Sequence, residues 1–356
     1  MKILVYNGPG DLEIQEAEDL LPRPGEIKVK TLYSGVSHGT EMNVYNNLVP
    51  QFSKYQDPET KLLLSGDENH KAWQYPIKSC DPDVWCLGYS NIGKVTEIGE
   101  GVKDFSIGDI VFSASSHQSH IVKPAKEFIK LEKDIDPKKA VVLFNLKTTY
   151  TAILDAKIKL GDVVVVSGLG LLGQLCVQMA KLSGAFQVYG IDIYENRRKA
   201  ALENGCDEVF DPIETKDIAM EIRKRTNNRG ADVVMEVSGN SKALQEAIRI
   251  AAPDTDVIVV SWYQNEARGL YLGDEFHHNR IGVKQSQSAH VAPEFAHMYP
   301  EERRQKALQH IIGKLSLDSL LQVMDFDSAP EAYKTIHDHP DQVIQVVFSY
   351  ENEEEE

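Results

Sequence analysis

Hydrophobic and polar positions follow two different rhythms along this chain. Up to about residue 150 the apolar positions fall in short alternating runs. Over residues 26–33, Ile27, Val29, Thr31 and Tyr33 alternate with Glu26, Lys28 and Lys30, the period of a half-exposed strand. Residues 1–6, 92–98 and 109–112 read as further strands, with Gly93, Gly99, Gly101 and Gly108 as turns or bulges between them. Short strands at close spacing predict a compact β-barrel-like domain. Residues 47–85 break this rhythm. They hold Pro50, Pro58, Pro76 and Pro82 with little periodicity, and are expected to form a long irregular segment.

From about residue 150 the pattern changes to alternating strand and helix. Val163 to Val166 is a continuous β-branched run, as in a parallel strand buried on both faces. A helix follows over 171–182, then strand 188–193, helix 195–203, strand 209–210, helix 215–225, strand 231–237, helix 242–250, and strands at 257–261 and 281–284. This order predicts a doubly wound parallel sheet. Beyond residue 300 the pattern gives helices over 301–313 and 329–337 and a last strand over 342–350, expected to return to the first domain.

One segment inside this second pattern carries chemistry. Gly168-Leu169-Gly170-Leu171-Leu172-Gly173 is a GxGxxG placed directly between a predicted strand and a predicted helix. There Gly168 permits a tight turn, Gly170 lets a pyrophosphate approach the backbone, and Gly173 brings helix and strand together. The helix N-terminus then offers free N–H groups to phosphate. Asp192 ends the second strand, about 20 residues further on, where a carboxylate accepts hydrogen bonds from the adenosine ribose. It would repel a 2′-phosphate, so NAD is the expected cofactor. Arg197 and Arg198, close by, leave NADP open.

Composition adds exclusions. The chain has 356 residues, long enough for two domains, with 42% hydrophobic and 26% charged residues, ordinary for a globular protein. A net charge of −16 argues against a nucleic-acid partner. The terminal acidic run 353–356 reads as a solvated tail. Cys80, Cys86, Cys176 and Cys206 form no CxxC pair, which fits reduced thiols, with Cys176 buried in a helix. No long apolar stretch predicts a membrane span, and the N-terminal apolar run is short for a signal peptide, so a cytoplasmic protein is expected.

With these segments in order, the chain resembles the medium-chain dehydrogenase/reductase superfamily over nearly its whole length. Residues 34–41 (SGVSHGTE) look like that family's early active-site loop. Residues 88–99 (GYSNIGKVTEIG) resemble its Gly-His-Glu…Gly-x-Val segment, and 102–111, with Phe105, Gly108 and Asp109, its GVxxFxxGDxV run. Residues 232–239 (DVVMEVSG) look like its fourth Rossmann strand. The resemblance implies a GroES-like catalytic domain built from residues 1–149 and 291–356, a Rossmann domain over 150–290, and a homodimer or tetramer.

The departures from that family are informative. Many members hold a catalytic zinc through a Cys of the early loop, the His-Glu pair and a later ligand. Here either Ser37 or His38 stands in the Cys place, Gly88-Tyr89-Ser90 replaces Gly-His-Glu, and the later region reads Phe144-Asn145-Leu146-Lys147. The four-Cys structural lobe is missing. The chain most resembles a zinc-less subgroup often labelled "zinc-binding alcohol dehydrogenase" and distantly similar to bacteriochlorophyllide dehydrogenases, so no metal is expected. A site using His38, His117 or His120 is the alternative.

Without a Lewis acid, side chains must move the hydroxyl proton and stabilise charge on oxygen. His38 is the first candidate for proton transfer. Ser37 shares its loop, Tyr89 stands ready to donate to the substrate oxygen, and His117 and His120 are further candidates. Thr149 is expected to touch the nicotinamide, with Lys147 beside it, and Ser238 to line the dinucleotide site. Thr40 and Glu41 are read as helix-capping, His277 and His278 as surface residues. The expected function is interconversion of an alcohol, such as a polyol, sugar or cyclitol derivative, and its carbonyl. The alternatives are a zinc-less NADPH-dependent quinone or enone reductase, and a nucleotide-binding protein without catalysis.

Overall fold

A computed structural model describes residues 1–66, 73–81, 84–264 and 266–350. The acidic run 353–356 and part of segment 47–85, including Pro82, lie outside the described residues. The chain divides into two compact units, 1–142 with 322–356, and 143–321. The sequence boundaries at 149/150 and 290/291 therefore shift. The reason is a helix that the sequence reading missed, Leu143–Ala156, which packs on helix Leu171–Leu182 of the second unit. Helix Glu301–Ile312 packs on Leu143–Ala156 as well, which carries the stretch up to 321 into the same unit.

The first unit is organised on one long strand, Glu26–Gly35. Along one edge it pairs antiparallel with Asn91–Ile98. Its other edge is shared: His120–Pro124 pairs with residues 26–30 and Gln345–Ser349 with residues 33–35. The last strand of the chain thus returns to the first unit, as its pattern predicts. Strands Ile110–Ser113, Phe128–Lys130 and Leu321–Asp325 extend the sheet to seven. A second sheet joins Lys2–Gly8 to Asp11–Glu16 and Ile77–Lys78. Strand Asp11–Glu16 escaped the sequence reading because its alternation is written in Leu12 and Ile14 alone. Segment 47–85 is less irregular than its prolines suggest, since Lys54–Gln56 and Leu63–Ser65 form a short hairpin.

The second unit is a six-stranded, wholly parallel sheet. Its order is Glu208–Phe210, Gln187–Ile191, Val163–Ser167, Val233–Glu236, Asp256–Val259, Gly282–Gln285. This is two three-stranded halves built outward from the first strand, with a topological switch between strands 163–167 and 233–236. Every residue of Val163–Ser167 is buried, as its unbroken β-branched run demands. Helices cover both faces. Leu171–Leu182 packs on strands 163–167 and 187–191, while Ile218–Arg225 and Ser241–Ile250 pack on each other. Their residues Ile218, Ile222, Leu244 and Ile248 fill a core with Val165, Val234 and Val257. Asp217 and Asn240 cap these last two helices, accepting from Met220 N–H at 3.0 Å and Lys242 N–H at 2.9 Å. Cys176 is fully buried, and burial pushes its thiol up to about 12, a packing thiol as its helical context implies.

Candidate functional site

The glycine turn of the second unit has three glycines with three different reasons. Gly168 sits at φ +94°, where a side chain is strained, and a Cβ there would lie 2.6 Å from the amide nitrogen of Ser238. At Gly173 a Cβ would stand 1.9 Å from the carbonyl oxygen of Gly168, so helix and turn touch backbone to backbone. Gly170 is different: a Cβ there meets nothing within 4 Å. Packing does not demand its small size. The open space lies at the N-cap of helix Leu171–Leu182, whose first amides, from Leu171, Leu172 and Gly173, have no intrahelical acceptor. Such a terminus is suited to an anion.

Asp192 clamps this turn from one side. Its carboxylate is buried, accepting Leu169 N–H at 2.7 Å and Tyr194 N–H at 2.8 Å. An ionised carboxylate has about four acceptor positions, so two remain for ligand hydroxyls. Arg197 lies 3.9 Å from Asp192 and stacks over the Tyr194 ring at 4.6 Å. Arg198 instead pairs with Asp211 at 2.9 Å and donates to the Asp192 carbonyl. Gln174, wholly buried, reaches both sides, donating to the carbonyls of Leu169 at 3.0 Å and Arg197 at 2.9 Å. Sequence reading passed over Gln174, since a polar residue in a helix carries no signal until its burial is known.

Thr149 does not face outward. It is fully buried, and its hydroxyl donates to the Asn145 carbonyl at 3.1 Å within its own helix. Lys147 pairs with Glu301 at 2.7 Å. Ser238 backs onto Gly168, and both its amide (2.8 Å) and its hydroxyl donate to Glu236.

In the first unit, Ser37 and Tyr89 are brought together by their hydroxyls across 52 residues of sequence. Thr40 also bonds the Tyr89 phenol, and burial raises its pKa above the ordinary tyrosine value. His38 is engaged elsewhere. Its Nε2 accepts the Val346 N–H at 3.2 Å, fixing the early loop to the last strand. His117 is fully buried with both ring nitrogens occupied, by Ser34 Oγ at 2.7 Å and Glu41 Oε2 at 3.0 Å. With no solvent exposure and both nitrogens engaged, this catalytic candidate is held as part of the buried polar network. His120 lies apart at the start of its strand, bonded to Ser119 at 3.1 Å. His277 and His278 are exposed, as read from sequence.

Glu41 does more than cap. One carboxylate oxygen accepts the Ser37 N–H at 2.6 Å. The other accepts from His117 and from the Tyr333 hydroxyl. Tyr350 bonds Ser34 at 2.9 Å, so the early loop is tied through buried polar contacts to residues 333–350 of the last helix and strand.

The sheet order and the glycine turn define the fold of the second unit: a Rossmann-type doubly wound parallel sheet. Residues 172–301 match the family model described as zinc-binding dehydrogenase. The D-guloside 3-dehydrogenase of Escherichia coli (strain K12) is 29% identical over 98% of this chain and 100% of its own length. Among solved structures, 2R,3R-butanediol dehydrogenase from Bacillus subtilis shares the fold with a TM-score of 0.76 at 19% identity, covering 98% of this chain and 99% of its own. An alcohol dehydrogenase from Escherichia coli CFT073, solved with NADH, does so with a TM-score of 0.75 at 16% identity, over 98% and 99%.

The family's name raises zinc. Among the described residues, no group of three or more His, Cys, Asp or Glu side chains is placed to hold a metal ion. The positions that resemble the family's ligand places carry Ser37, Tyr89 and Ser90. Ser37 and Tyr89 are bonded to each other, Ser90 donates to the Val141 carbonyl, and His38, the alternative to Ser37 in the Cys place, has its Nε2 taken by the Val346 amide. Three hydroxyls and one imidazole already engaged by backbone are a poor match to the thiolate, imidazole and carboxylate donors that zinc takes, so this donor set does not fit.

The glycines yield a paired expectation. Gly173→Ala is expected to cost about 2 kcal/mol or more in denaturant unfolding, because backbone must move to admit the methyl group. Gly170→Ala is expected to cost no more than about 1 kcal/mol, the N-cap preference for glycine over alanine, since its φ of −65° suits alanine and nothing crowds a Cβ there. Equal losses at the two positions would contradict the packing described.

Proposed function

We propose that this chain is a medium-chain dehydrogenase/reductase that interconverts a secondary alcohol of a polyhydroxylated small molecule, a sugar or polyol derivative, and its ketone, with NAD as the preferred cofactor and no catalytic zinc. The observation that carries the reading is the empty space at Gly170, set between unpaired helix amides and the Asp192 carboxylate. The amides around residues 168–173 would hold a diphosphate, and the free acceptor positions of Asp192 the adjoining ribose. Bound there, a nicotinamide would accept or return a hydride. The similarity to dehydrogenases that act on a guloside and on butanediol supports the substrate class.

Tyr89 and Ser37 supply the proton chemistry in this reading. Burial disfavours the phenolate, so Tyr89 stays a neutral O–H donor at working pH. In ketone reduction it would give its proton to the substrate oxygen as hydride reaches the carbon and be reprotonated from solvent through the hydroxyls of Ser37 and Thr40; alcohol oxidation runs the same transfer in reverse, the alcohol proton passing through Tyr89 and leaving to solvent along that relay. His38 is assigned a structural part, because protonating Nε2 would cost it the Val346 amide. The edge of the sheet at Gly282–Gln285 has no partner strand among the described residues, with Val283 partly exposed, and a homodimer or tetramer built on that edge belongs to the same proposal.

The direct test is a panel of polyols, sugars and glycosides assayed for NADH formation, alongside quinones and enones assayed for NAD(P)H consumption. Turnover of a polyhydroxylated alcohol is expected. Turnover of the enone set alone would replace this reading with a reductase. Elemental analysis is expected to find no stoichiometric zinc, and one tightly held zinc per chain would overturn the metal-free assignment.

On the substrate so found, Tyr89→Phe is expected to lower kcat by about 100-fold or more with KM nearly unchanged. His38→Ala should leave kcat within about threefold while costing about 1 kcal/mol of stability. Because the Tyr89 pKa is raised, deprotonation sets in only above the ordinary tyrosine value of about 10, and no fall in rate from phenol ionisation is expected below it. Asp192→Ala is expected to weaken NADH binding by about tenfold and to narrow the preference over NADPH, measured by fluorescence titration. An unchanged preference would remove Asp192 from cofactor choice.

A further inference from the structure

The sheet hides one carboxylate that the proposed chemistry does not use. Glu236 ends the strand Val233–Glu236 and is fully buried. Its Oε1 accepts the Ser238 amide at 2.8 Å and the Ser238 hydroxyl. Its Oε2 accepts the Ser261 hydroxyl at 2.6 Å and the Tyr263 hydroxyl. These donors come from two different turns. Ser238 follows strand Val233–Glu236, and Ser261 and Tyr263 follow Asp256–Val259. One ionised group thus ties two turns that no backbone ladder joins.

The place of these turns matters. In a sheet of order 3-2-1-4-5-6 a dinucleotide lies across the C-terminal ends of the strands, one mononucleotide on each half. Gly168 and Asp192 belong to the half that would take the adenosine end. Glu236, Ser261 and Tyr263 belong to the other. That half also carries buried polar groups without a hydrogen-bond partner: the hydroxyl of Ser286, a residue only 3% exposed, just beyond strand Gly282–Gln285, and both ends of the Gln264 side-chain amide. Unpaired buried amides and hydroxyls are costly in the empty protein and are what a polar ligand would satisfy. Glu236 itself has its oxygens filled by five donors, the Gly239 amide being the fifth at 3.4 Å, which suits a strut better than a base. Burial and the adjacent carboxylate push the Tyr263 phenol far above its usual value, so it stays a neutral O–H donor to Glu236.

We propose that Glu236 is a positioning residue for the nicotinamide half of the cofactor, binding the turns around Ser238 and Ser261–Tyr263 into one rigid shelf on which Gln264 and Ser286 meet the ligand. The inference rests on the dinucleotide reading above. Trp262, held between the two tied residues and partly exposed, is the built-in reporter of that shelf.

The test compares binding of NADH with binding of ADP-ribose, which lacks the nicotinamide, by titration calorimetry and by energy transfer from tryptophan to NADH. The proteins are wild type, Glu236→Gln, Tyr263→Phe and the double variant. Tyr263→Phe is expected to weaken NADH about fivefold and Glu236→Gln about tenfold, while ADP-ribose changes by less than threefold. The double variant is expected to be no weaker than Glu236→Gln, since both act through the same contact. Equal weakening of both ligands, or unchanged NADH binding, in Tyr263→Phe would overturn the assignment even if Glu236→Gln fails to fold. A wild-type protein that binds neither ligand would instead overturn the dinucleotide reading, and this inference with it.

Discussion

The backbone contact between Gly173 and Gly168 is the constraint on which the second unit depends. It lets helix Leu171–Leu182 start hard against strand Val163–Ser167, which aims the helix N-terminus and leaves the space at Gly170 open. Every other feature of the turn secures that geometry. Asp192 takes up the Leu169 amide from the side of the second strand, Gln174 grips the turn from within the helix, and Ser238 closes against Gly168 from the fourth strand. A side chain on Gly168 or Gly173 would force the helix away, and the unpaired amides would no longer converge.

The first unit solves a different problem with the same means. Its early loop must be held in one shape although much of it is polar. Glu41 does this from full burial, accepting from the Ser37 amide, His117 and Tyr333 at once. The cost of hiding a carboxylate is offset only because each oxygen is met by donors. The result fixes Ser37 beside Tyr89, the pair to which the proposed proton chemistry is assigned.

Period and turn chemistry made most of the fold legible. The helices 171–182 and 195–203 fall where the apolar pattern puts them, and the parallel strands lie within a few residues of theirs. The glycines and Asp192 were readable because their roles are local: a φ sign, a close approach, a strand end. Helix Leu143–Ala156 was not, since its threonines and Asn145 mask its apolar stripe and its burial is decided by a partner helix. The polar residues failed in the same way. Nothing in sequence separates His38, His117 and Thr149, which spend their polar atoms inside the protein, from Tyr89 and Ser37, which meet across 52 residues. Glu41 and Glu236 were understated for that reason: a buried carboxylate is recognised by its donors, and these come from distant turns.

The most direct measurement is hydrogen exchange of the amides of residues 171–173 with and without NADH. The account predicts strong added protection there and over the segment following Asp192, because those N–H groups and that carboxylate would be engaged by the diphosphate and ribose. Exchange in this turn that NADH leaves unchanged, at concentrations where NADH is bound, would contradict it.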